Sequence, residues 1–132
     1  GGTSGSFTVS QVSAGRKNHF YFEISTEDTT YGWNQEKPNE LWIGKRDEPN
    51  GILMRDPGLV SENVKNFVHY PGGHEEGWPD ALKNLFLDFY DHIGHPEKDS
   101  FEHATFEAGH EIMKIIEAIL KSHETKQWVS IK

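Results

Sequence analysis

Apolar and polar residues alternate along the first half of this chain and recur every three or four positions along the second. In the run FTVSQV, Phe7 and Val9 fall on one face and Thr8, Ser10 and Val12 on the other, before Ala14-Gly15, and this predicts a first strand over 7–12. NHFYFEIS alternates more cleanly. Phe20, Phe22 and Ile24 point one way and His19, Tyr21, Glu23 and Ser25 the other, so one face is buried and one is wet. After the polar turn Glu27-Asp28-Thr29, TYGWN predicts a short strand with Tyr31 and Trp33 on one side. ELWIGKR sets Leu41 and Ile43 against Trp42, and Asp47-Glu48-Pro49-Asn50-Gly51 turns the chain into a fifth strand, ILM. Strands joined by short polar connections predict an antiparallel meander, because βαβ units need a helix between strands.

Asp56-Pro57-Gly58 ends this sheet-rich half, and Ser61 to Asn66 reads as a loop or one helical turn. The period then changes. Pro79 suits a first helical turn, Asp80 suits the positive helix start, and Leu82, Leu85, Phe86, Phe89, Tyr90 and Ile93 form one stripe ending at Gly94. A second helix follows, with Thr105 as N-cap, Glu107 in the first turn and Ile112, Met113, Ile116, Ile119 and Leu120 on one face. It is expected to end between Ser122 and Thr125, and WVSI to add a last strand. The predicted fold class is α+β: an open, mostly antiparallel β-sheet with two α-helices packed on one face.

The 132 residues predict one domain with a real core, residues 6–132, behind a flexible start at 1–5. Thirteen basic against 21 acidic residues leave a net charge of −8, which argues against nucleic acid or an anionic membrane as partner. A small or neutral ligand fits better. The chain has no cysteine, so disulfides, thiolate metal sites and a Cys nucleophile are excluded, and a cytoplasmic setting is the expectation. No window approaches the length of apolar sequence needed to span a bilayer, and the opening GGTSG lacks the regions of a signal peptide.

Eight histidines raise the question of a metal, but no HExxH and no carboxylate triad accompanies them, and no metal site is expected. Asp88 and His92 have the i, i+4 spacing of a carboxylate that orients a general base, or of an ordinary helical ion pair. Glu75 and Glu76 are adjacent, and neighbouring side chains point apart, which disfavours an acid/base pair. The loop Pro71-Gly72-Gly73-His74-Glu75-Glu76-Gly77-Trp78 holds the densest chemistry. Its glycines allow close backbone approach, and Trp78 offers a wall for a sugar ring beside His74; alternatively, the glycines only reverse the chain. The turn Arg16-Lys17-Asn18 can hydrogen-bond hydroxyls or a phosphate, or it is a solvated turn.

Taken together, GSFTVSQVSAGRKN, YGWNQEKPNELWIGKRDEPN, YPGGHEEGWPDALKNLF and FEAGHEIMKIIEAILKSHETKQWVSI resemble, in order, the C-terminal part of Gfo/Idh/MocA sugar-type dehydrogenases. The resemblance implies a nicotinamide-binding Rossmann domain upstream, with NAD or NADP as cofactor there and none in this piece. It implies that residues 6–132 are a substrate and oligomerisation domain, pairing copies through the sheet face and contributing to a site for a sugar, cyclitol or related polyol. His74, Trp78, Arg16, Lys17 and Asn18 are the candidate substrate contacts, and no catalytic residue is carried over. Glu36-Lys37-Pro38 matches the family's E-K-P letters, but in a loop of the wrong domain, and Asp88 and His92 have the spacing of its Asp-His pair in the wrong context. No G-x-G-x-x-G opens a βαβ unit here, so this chain alone is expected to be inactive. Two other readings share the fold: an NAD-dependent glycoside hydrolase, or a non-catalytic dimerisation module presenting Tyr21, Trp33 or Trp42.

Overall fold

Four strands, β1 (Tyr21–Ser25), β2 (Thr29–Asn34), β3 (Glu40–Lys45) and β4 (Gly51–Met54), form an open antiparallel meander in the order β1-β2-β3-β4. The computed structural model describes residues 2–98 and 101–131. Side-chain bonds close the turns. Thr26 Oγ1 bonds the Thr29 backbone, Asn34 Oδ1 accepts from Glu36 N at 2.9 Å, and Asn50 Oδ1 accepts from Lys45 N at 3.1 Å. These threonine and asparagine side chains stand in for backbone partners in the turns, which is why the meander needs only short connections.

Register sorts the side chains. Tyr21 opposes Asn34, Glu23 opposes Gly32, Gly32 opposes Trp42 and Trp42 opposes Ile52, so these residues share one face. Phe22, Trp33, Leu41 and Leu53 share the other, where the Phe20, Phe22 and Trp33 ring centres stand 5.9–6.0 Å apart. Trp33 therefore lies on the opposite face from Tyr21 and Trp42, which corrects their grouping as one interface. On the Tyr21 face the Trp42 indole lies over two glycines, Gly44 and Gly32, filling the space their missing side chains leave.

The chain divides into two compact units, Gly1–Pro79 and Asp80–Lys132. The first holds the sheet and a 3₁₀ turn, Glu62–Phe67, in agreement with the helical turn expected there. The helices are α1 (Trp78–Gly94), which begins at the end of the first unit, and α2 (Phe106–Thr125). Thr105 caps α2 as expected, its hydroxyl accepting from Ala108 N at 3.2 Å, and Lys126 ends it in the left-handed conformation at φ 57°. No described helix is long and apolar enough to cross a membrane.

Two expected strands are absent among the described residues. Residues 7–12 form no strand: Ser10 Oγ accepts from Val12 N and from Ser13 Oγ, and Val9 and Val12 stand exposed. Alternation without a pairing edge leaves the backbone to such local hydroxyl bonds. WVSI is likewise not a strand, and Trp128 is fully exposed. The expected core is not found either, because no apolar side chain among the described residues is buried. The stripes along α1 and α2 stay about half exposed, as Leu85 at 48% and Ile116 at 42% show.

Candidate functional site

The loop from Tyr70 to Trp78 is held by groups that project from one end of the sheet. Because Glu40 pairs with Met54, the residues just outside the ladder, Asn39 and Arg55, face each other, and Arg55 N donates to Asn39 O at 2.8 Å. Arg55 Nε donates to Asn39 Oδ1 at 2.7 Å, and its Nη1 donates to Tyr70 O at 2.7 Å and lies 3.2 Å from Glu76 Oε2. Its Nη2 donates to the carbonyl of His74. One planar guanidinium thus grips the loop at three residues, a task suited to its fixed fork of donors.

Glu76 is the one buried charged residue among those described, its side chain 6% exposed against 13% for Arg55. Its Oε1 accepts from His69 N at 2.6 Å and Tyr70 N at 2.8 Å, while its backbone N–H and C=O exchange hydrogen bonds with the Asn39 side chain, both at 3.1 Å. A buried carboxylate costs several kcal/mol unless paired and fully hydrogen-bonded, and here both conditions are met. Asp56 adds a further anchor. Its carboxylate accepts from Gly58 N and Gly72 N, and these bonds hold its pKa below the usual carboxylate range. A Cβ on Gly72 would displace that carboxylate from its bonds, and Gly73 has φ +83°, a conformation in which any side chain is strained.

The sequence candidates fare unequally. His74 and Trp78 are exposed, with the His74 backbone pinned by Arg55 and by its own N–H to Pro71 O. Arg16 turns to Glu36, its Nη1 3.4 Å from Glu36 Oε2, while Lys17 and Asn18 are exposed in the turn after Gly15. Glu36-Lys37-Pro38 lies in the connection between β2 and β3: Lys37 lies near Glu40, and Pro38 O accepts from Trp33 Nε1 at 3.1 Å. Asn39, Arg55, Asp56 and Glu76 were not legible as a set. The sequence signals were weak: an Arg-Asp-Pro-Gly sheet exit and one of two adjacent glutamates.

The second unit contains its own polar cluster. Asp88 does not meet His92 directly; its Oδ2 bonds His103 Nδ1 at 2.6 Å, and His103 Nε2 lies 3.2 Å from His92 Nδ1. Asp88 also accepts from Glu102 N and His103 N, and Phe101 stacks on His92 at 4.1 Å, beside an open cavity of about 590 Å³. Desolvation pushes the Asp88 pKa up, but the His103 and backbone N–H bonds outweigh it and leave the pKa lowered. Its contribution to stability is therefore fully present above pH about 4 and is lost as pH falls through the lowered native value. Asp88→Asn should flatten that part of the acid dependence, seen as a smaller drop in Tm between pH 5 and the acid limit than in the parent. No group of three or more potential metal ligands occurs among the described residues.

No family model and no curated protein matches the chain. Solved structures do. An oxidoreductase from Sinorhizobium meliloti superposes with TM-score 0.84 at 25% identity, covering 92% of this chain and 35% of that one. An oxidoreductase from Pseudomonas syringae gives 0.82 at 24% identity with the same coverages. An inositol dehydrogenase homologue from Azotobacter vinelandii, solved with NADH and myo-inositol, gives 0.60 at 24% identity over 65% of this chain and 23% of that one. The chain thus has the fold of one part of these oxidoreductases and spans about a third of the length of the first two.

Proposed function

We propose that this chain is the C-terminal substrate and oligomerisation domain of a Gfo/Idh/MocA-type NAD(P)-dependent oxidoreductase acting on a sugar, cyclitol or related polyol. The superposition at TM-score 0.84 over 92% of this chain but 35% of the Sinorhizobium meliloti oxidoreductase carries the reading. The exposed apolar stripes support it, since soluble monomers rarely leave so much contiguous apolar surface open. The described residues do not fit a dinucleotide. An antiparallel meander presents no βαβ unit whose glycine turn could seat a pyrophosphate on a helix N-terminus. In this reading the cofactor is held upstream and accepts or donates hydride there.

What this chain supplies is a wall. His74 offers an imidazole that can donate to or accept from a hydroxyl, Trp78 an exposed ring face for stacking, and the Arg16-Lys17-Asn18 turn further hydrogen-bond donors. Copies pair through the sheet face carrying Tyr21, Glu23 and Trp42. The test joins this chain to its upstream segment and assays NAD and NADP reduction with myo-inositol and a panel of sugars. Polyol-dependent reduction is expected, with His74→Ala lowering kcat/KM tenfold or more. A full-length protein inactive on all of them overturns the substrate class, and an unaffected His74→Ala removes His74 from the site.

A further inference from the structure

We infer that Arg55 is the positioning residue of the candidate substrate site, and that Asn39 and Glu76 act through it to set where His74 stands. This rests on the reading that His74 touches substrate. The geometry separates anchors from tip. Tyr70 is tied at its carbonyl by Arg55 and at its N–H by Glu76, and Glu76 is tied at backbone and side chain, so both ends of the segment are fixed. Between them Arg55 Nη2 takes the carbonyl of His74 itself, while the imidazole stays exposed. The orientation of Arg55 is itself set by Asn39 Oδ1 at 2.7 Å and Glu76 Oε2 at 3.2 Å.

Asn39 and Arg55 stand opposite each other because of the β3–β4 register. Asp56 and the Asn39 side chain tie the loop at Gly72 and Glu76, and the sheet reaches His74 itself through the Arg55 fork. Lysine cannot reproduce this: it has the charge, but its ammonium is a compact point charge without the planar fork. A small misplacement of a substrate contact is enough to lower turnover strongly.

A double-mutant cycle in the longer protein tests this, with Arg55→Lys measured in the parent and in the His74→Ala background. Arg55→Lys is expected to lower polyol kcat/KM at least tenfold in the parent but less than twofold once His74 is gone. A merely structural role would give equal losses in both backgrounds, and that result, or no loss in the parent, overturns the inference. If His74→Ala alone changes nothing, the underlying reading fails instead, and the positioning role fails with it. Should Arg55→Lys not fold, Asn39→Ala, which removes the acceptor for Arg55 Nε and both bonds to the Glu76 backbone but keeps the Arg55–Glu76 ion pair, is run through the same cycle with the same expectation.

Discussion

Glu76→Ala should destabilise the first unit by about 3–5 kcal/mol, the cost of removing one partner of a buried, hydrogen-bonded ion pair. The expectation follows from what is left behind. Arg55, 13% exposed, would keep its charge without its carboxylate, and the N–H groups of His69 and Tyr70 would lose their 2.6 and 2.8 Å acceptor. Glu76→Gln keeps one acceptor oxygen and the shape, so it should cost less than alanine. Urea unfolding of the chain, followed by Trp fluorescence, measures both. Equal and small losses for the two variants would mean that water satisfies these groups as well as Glu76 does.

Gly44→Ala comes second, at about 1–3 kcal/mol, the usual cost of forcing extra volume into a filled site. A Cβ at position 44 would clash with the Trp42 ring, which lies across the Tyr21 face of the sheet. The indole must leave. The emission of the Trp42 environment should then shift to the red and Tm should fall. If copies pair through that face, sedimentation of the variant should also show less dimer than the parent. Gly51→Ala is the control, because a Cβ there meets nothing within 4 Å.

Much of the fold could be read from the chain because the relevant forces are local. The alternation around Phe22, Tyr31 and Leu41 and the stripe from Leu82 to Ile93 set strand and helix periods, and Pro79, Thr105 and Gly94 mark helix ends with their own backbone chemistry. The same local rule misled at residues 7–12 and 128–131, since alternation states a capacity to pair and says nothing about an available edge. The loop from Tyr70 to Trp78 was visible for its glycines, histidine and tryptophan.

What holds that loop was not visible. Asn39, Arg55 and Glu76 lie 16 to 37 positions apart along the chain, and each by itself is an unremarkable polar residue. Nor could i, i+4 spacing show that Asp88 would turn from His92 to His103. The sequence by itself determined the α+β class, the order of the four central strands and the two long helices, and the loop densest in glycine, histidine and tryptophan, all written in neighbouring residues. Only the tertiary structure decided that Glu76 is buried, that Arg55 is its partner and that His74 is pinned by its carbonyl, because strand register brings together groups that sequence distance keeps apart.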